Sequence, residues 1–190
     1  MRYCLQCGSD KIETRVPDGD NRPRLVCSQC DFIHYQNPKN VAGCILEWEG
    51  RVLLCKRGIE PRYGMWTVPA GFMENGETMA EAATRETMEE AQASALDLRL
   101  YVLFSLPHIS QVYMLYRGVL AHGKHAPGHE TLETSLYREA DVPWDDLAFP
   151  VMSESLKLFF RDQRSGVFPV RTGDIVRRKD KSLEVRHHQD

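Results

Sequence analysis

Glu86, Glu89 and Glu90 crowd one short stretch of a 190-residue chain. At 100° per residue on a helix their carboxylates share a wedge of about 100°. Three like charges repel, and Glu89 and Glu90 fall in the last turn, where the helix dipole favours cations. Together these effects oppose the helix by roughly 1 kcal/mol. The positions four residues further on are Glu90, Ala93 and Ser94, so no lysine or arginine is expected to offset the charge. A hard cation would offset it, and oxygen-only ligands suit Mg²⁺ or Mn²⁺. A merely solvated acidic face remains the alternative at this point.

A second chemistry lies at the start of the chain. Cys4-x-x-Cys7 and Cys27-x-x-Cys30 are two tight turns, each able to place two thiolates on one tetrahedral zinc. Redox pairs or disulfides are the competing reading. Two pairs within about 30 residues, with no secretory h-region ahead of them, favour zinc. So short a segment buries little core, and the metal would supply its folding energy. Four thiolates leave no open position, so this zinc is expected to be structural. Cys44 and Cys55 remain, in apolar runs either side of Trp48-Glu49-Gly50. That pattern predicts a β-hairpin with the two cysteines opposite each other as buried free thiols.

These groups need elements to hold them. Thr78-Met79-Ala80-Glu81 is a capping box, so the glutamate helix is expected over 79–91, packing through Ala80, Thr84, Thr87 and Ala91. A second helix is expected over 152–163, from Met152, Leu156, Phe159 and Phe160. Strand patterns cover 41–47, 51–56, 65–69, 97–105 and 111–120. Residues 122–135 read as a polar loop carrying His122, His125 and His129, and the last 25 residues as a loosely packed tail. Strands and helices mixed without regular alternation imply an α+β chain, an α/β/α sandwich on a mixed sheet.

Net charge is −3, with residues 1–36 neutral, 37–160 at −6 and 161–190 at +3. This balance argues against a general nucleic-acid binder. No apolar run approaches the roughly 20 residues of a membrane-crossing helix. No membrane association and a cytoplasmic location are therefore expected.

Gly71, Glu77, Arg85-Glu86-Thr87 and Glu89-Glu90 resemble the Nudix box, G-x5-E-x7-R-E-U-x-E-E-x-G-U. Trp66-Thr67-Val68-Pro69-Ala70-Gly71 resembles the family's lead-in, and the cysteine segment resembles the N-terminal zinc ribbon of one Nudix subgroup. The resemblance implies a zinc ribbon over 1–36, a Nudix domain over 37–163 and a basic tail over 164–190. It implies Mg²⁺-dependent (or Mn²⁺-dependent) hydrolysis of a nucleoside diphosphate derivative. Glu86 and Glu90 would hold the metal, with Glu89 nearby and the Ala70 carbonyl as a further ligand. Arg85 and Glu77 would pair to orient the box, and Glu89, Glu130 or Glu133 would serve as general base. Thr87 stands where an aliphatic residue is usual. Gln92 replaces a glycine, so the helix either stops there in a left-handed turn or runs on through Ala93.

The NADH pyrophosphatase motif, Ser-Gln-Pro-Trp-Pro-Phe-Pro, is missing after the box. Phe104-Ser105-Leu106-Pro107-His108-Ile109 through Tyr113 looks more like plant-type members acting on FAD and ADP-ribose. The expected order of substrates is ADP-ribose or FAD, then NADH, then nucleoside triphosphates. Phe32, Tyr35, Phe104 and Tyr113 are candidates to stack on a base. A nucleotide-sensing regulator whose ribbon contacts a partner is the alternative to an enzyme. The family allows a homodimer, which no residue here displays.

Overall fold

Four thiols and a handful of short strands organise the first residues. The computed structural model describes residues 1–188 and separates Met1–Asn37 from a larger unit beginning at Pro38. In the smaller unit, β1 (Ile12–Arg15), β2 (Arg24–Cys27) and β3 (Ile33–His34) form an antiparallel sheet in that order. Each cysteine pair is followed by a residue at positive φ, Gly8 (72°) and Asp31 (56°). Their amides donate back to the Cys4 and Cys27 carbonyls. The two knuckles are thus the same turn used twice.

In the larger unit, alternation along the strands feeds two cores. The strands are β4 (Lys39–Trp48), β5 (Arg51–Arg57), β6 (Trp66–Thr67), β7 (Ala70–Phe72), β8 (Ala95–Leu106), β9 (Gln111–Leu120), β10 (Thr131–Tyr137), β11 (Arg171–Arg177) and β12 (Leu183–His187). They lie in the order β10-β5-β4-β9-β8-β11-β12, with β6 on β5 and β7 on β4. β4 and β9 run parallel, as do β8 and β11, so the sheet is mixed. Helix α1 (Met79–Ala91) joins Ala42, Cys44, Leu46, Leu53 and Cys55 in one core. Helix α2 (Pro150–Ser165) joins Val41, Ile45, Val52, Leu54 and Tyr101 in the other. Neighbouring residues of β4 and β5 thus face opposite layers, as a period of two requires, giving the expected α/β/α sandwich.

Helix α1 starts as the capping box predicts: Thr78 Oγ1 accepts from the Glu81 amide and Glu81 Oε2 from the Thr78 amide. Its buried residues are Ala82, Ala83, Thr87 and Ala91. Thr84 instead faces solvent and bonds the Ala80 carbonyl. The packed face is therefore rotated from the expected stripe, and the rotation carries Glu86 and Glu90 inward. The helix ends at Gln92, left-handed at φ 46° and ψ 37°, rather than running through Ala93. A non-glycine residue there costs about 1 kcal/mol.

The expected hairpin of β4 and β5 holds only at its tip. Glu49 and Gly50 take positive φ, the turn that suits two-residue hairpins. The ladder then stops after Trp48–Arg51 and Glu47–Val52. Beyond it the strands part, β7 pairing with β4 and β6 with β5. Cys44 and Cys55 consequently do not pair. Both are buried free thiols, Cys44 Sγ donating to the Ala83 carbonyl. Of the expected strand 65–69 only Trp66–Thr67 forms, as β6; Pro69, which has no amide hydrogen for a ladder, separates it from β7, which starts beyond the expected range at Ala70.

Two further expectations fail at the sheet margins. The polar loop over 122–135 ends early, because residues from Thr131 form β10 along β5. The expected loose tail supplies β11 and β12, with Ile175 fully buried. Asp162 is 2% exposed. It accepts two hydrogen bonds from Arg171, at 2.9 and 2.7 Å, and one from the Tyr101 hydroxyl at 2.8 Å. This buried charge, fully partnered, fastens β11 and α2 to β8. No helix among the described residues is long and apolar enough to cross a membrane.

Candidate functional site

Inserting β7 beside β4 brings the Ala70–Gly71 backbone against the inner face of α1. The Ala70 amide donates to Glu90 Oε2 at 3.0 Å. A Cβ on Gly71 would lie 2.3 Å from the Glu86 carboxyl carbon, so only glycine leaves room for that carboxylate. Burial pushes the Glu90 carboxyl up to about 7, with the Ala70 amide opposing. Burial likewise raises Glu86, against the pull of Arg85.

Arg85 organises the rest. It grips Glu77 through two hydrogen bonds, at 3.0 and 2.8 Å, and also donates to the Phe72 carbonyl. This pairing holds the Glu77 carboxyl down to about 2. Arg85 Nη1 also meets Glu86 Oε1 at 2.8 Å and Glu89 Oε2 at 3.1 Å. The expectation that no cation offsets the three glutamates is therefore corrected. The partner stands four residues before Glu89, not four residues after a glutamate.

Ala70, Gly71, Arg85, Glu86, Glu89 and Glu90 line one side of a cleft of about 790 Å³, which also takes in Arg57, Phe72, Gln111, Tyr113, His129 and Glu130. Glu130 thus joins the glutamates of α1. Glu133 does not line the cleft; it lies on β10 across from Lys56, 3.8 Å from its ammonium. The histidines do not converge: His129 lines the cleft, whereas His125 bonds Thr134 Oγ1. Among the aromatic candidates Phe104 is wholly buried in the core, and Tyr113 forms cleft wall. Phe32 and Tyr35 belong to the smaller unit. Arg57 and Phe72 escaped sequence reasoning. Each ends a strand pattern, Arg57 after Val52–Cys55 and Phe72 after the lead-in, which was the available signal.

The carboxylates of Glu86, Glu89 and Glu90 offer only oxygen, a chemistry that suits a hard divalent cation. The smaller unit suits zinc. Its four sulfurs lie within 4.8 Å of one another, the only such ligand group among the described residues. Cys4–Cys30 and Cys7–Cys27 are each 3.7 Å apart. A tetrahedron with metal–sulfur bonds of about 2.3 Å has edges of about 3.8 Å.

Comparison with known proteins follows the same division. A family model described as "NUDIX domain" matches residues 36–160, and a zinc-ribbon model described as "Nudix N-terminal" matches residues 2–36. The crystal structure of a NUDIX hydrolase from Nitrosomonas europaea is 50% identical, with a TM-score of 0.88, covering 93% of this chain and 99% of that one. A Vibrio atlanticus protein named NAD-capped RNA hydrolase NudC is 28% identical over 152 residues, covering 77% of this chain and 50% of that protein. A Photobacterium profundum protein of the same name is 27% identical over 166 residues, covering 82% and 58%. The chain spans about half the length of these curated relatives.

Proposed function

From the premise that this chain belongs to the Nudix family and carries its N-terminal zinc ribbon, we propose that it is a Mg²⁺-dependent pyrophosphohydrolase of nucleoside diphosphate derivatives. The observation that carries this reading is the pair Glu86 and Glu90, held on the inner face of α1 against a glycine that leaves space for one of them.

In this reading Glu86, Glu89, Glu90 and the Ala70 carbonyl hold the cation. When bound, it neutralises the diphosphate and lowers the pKa of the attacking water. The protein supplies position and a proton acceptor. Arg85, fixed by Glu77 and the Phe72 carbonyl, keeps the carboxylates of the box in place. Glu130 is our choice of general base. It lines the cleft, and its carboxylate accepts no hydrogen bond among the described residues, whereas Glu89 is tied to Arg85 and Glu133 to Lys56. The proton leaves water for Glu130 as the water oxygen bonds to phosphorus, and the anhydride P–O bond breaks to release a second phosphate.

Substrate choice falls on the wall formed by Ile109, Gln111 and Tyr113. Its sequence resembles members acting on FAD and ADP-ribose, and these are the substrates proposed first. A second reading, NAD(H) or NAD-capped RNA, is favoured by the name of the curated relatives. Incubation with ADP-ribose, FAD, NADH and an NAD-capped oligonucleotide, each with Mg²⁺, tests both by AMP release or cap removal. Tight binding without hydrolysis of any of them would favour a nucleotide-sensing regulator instead.

A further inference from the structure

Gln92 departs from the glycine of the family pattern, and its surroundings show what the side chain does. Helix α1 leaves its last carbonyls without partners inside the helix. They are taken by the segment that follows β9: the Gly128 amide donates to the Glu90 carbonyl at 3.0 Å, and the Ala126 amide to the Ala91 carbonyl at 2.8 Å. Between these two amides stands Pro127, which has no amide hydrogen to donate. Gln92 Nε2 reaches its carbonyl at 2.6 Å. A Cβ on Gly128 would lie 1.6 Å from the Glu89 carbonyl oxygen, so the segment lies directly on the helix end. The next residues are His129 and Glu130, both on the cleft. The Gly58 amide pins the Glu130 carbonyl from the far side at 2.7 Å.

We infer that Gln92 is a positioning residue, a latch that holds residues 126–130 on the end of α1 and so sets Glu130 opposite the carboxylates of the helix. This rests on the functional reading above for the role of Glu130, but the latch itself is a statement about the loop. A glycine at this position would take the left-handed conformation without strain and would provide no latch.

The test compares Gln92→Gly and Gln92→Asn with wild type. Glycine adopts this backbone freely, asparagine tolerates it, and the shorter asparagine amide does not span to Pro127. Both variants should fold, and both should show faster hydrogen exchange at the Ala126 and Gly128 amides. Unchanged exchange there overturns the latch, whether or not any substrate is turned over. Gln92→Gly should also lower kcat about tenfold with KM within about twofold, since misplacement of a reacting group by about 1 Å costs up to about a hundredfold. In the residual turnover of Glu130→Gln it should cost nothing further, because the two act as one unit. An equal loss in both backgrounds overturns the link to Glu130. Failure of wild type to hydrolyse any diphosphate overturns the functional reading alone, and the exchange measurement still decides the latch.

Discussion

The carboxylate of Glu86 occupies the space that a side chain on Gly71 would need, 2.3 Å from where its Cβ would stand. Gly71→Ala therefore must push either the β7 backbone or the Glu86 carboxylate away. We expect turnover to fall by about a hundredfold or more, with far-ultraviolet circular dichroism unchanged. Wild-type turnover in this variant would remove Glu86 from the site.

Glu90→Gln keeps the shape of the side chain and its contact with the Ala70 amide but removes a charge. Turnover should fall by orders of magnitude. Stability without Mg²⁺ should move the other way. The folded protein holds the Glu90 carboxyl up to about 7, above the usual 4.5, because burial disfavours its charge. The contribution of this group is fully present below about 4.5 and is lost as pH rises through about 7. In Mg²⁺-free buffer with zinc retained, Glu90→Gln should thus gain melting temperature on wild type between pH 5 and pH 8. Parallel curves would contradict the burial of this charge.

Glu133→Gln should leave kcat within about twofold of wild type, since that carboxylate lies beside Lys56 and not on the cleft. Glu130→Gln should lower it by about a hundredfold or more. Steady-state kinetics of the two variants side by side would expose an inverted assignment.

Asp162→Ala strips the partner from a nearly buried Arg171 and leaves the Tyr101 hydroxyl without its acceptor. We expect a loss of about 3 kcal/mol in urea unfolding. A change under 1 kcal/mol would mean that β11 is held by packing alone.

Much of the site was legible because local rules govern it. The capping box at Thr78–Glu81 and the spacing of Glu86, Glu89 and Glu90 placed α1 over the residues it occupies. The alternation along β4, β5, β8 and β9 outlined the strands that carry the two cores. What was missed depends on contacts made far along the chain. Cys44 and Cys55 would face each other had β6 and β7 not entered between their strands. The strand character of residues 171–177 comes from pairing with β8 and from the Asp162–Arg171 contact, and that of residues 183–187 from pairing with β11, none of which leaves a periodic pattern. The grip of Arg85 on Glu86 and Glu89 is legible in the sequence as an i,i+4 pair, with the cation four residues on the N-terminal side of Glu89.

The opening of the β4–β5 hairpin has a consequence for how such a site could diversify. Because Ala70 and Gly71 belong to a ladder with Gly43 and Ala42, a shift of that floor's backbone also disturbs the sheet. Drift there is penalised twice, once through folding and once through chemistry. The opposite wall, where Ile109 lies in the β8–β9 turn outside any ladder, bears no comparable burden. New substrate preferences would accumulate on that side, where a substitution can be tried without renegotiating the sheet.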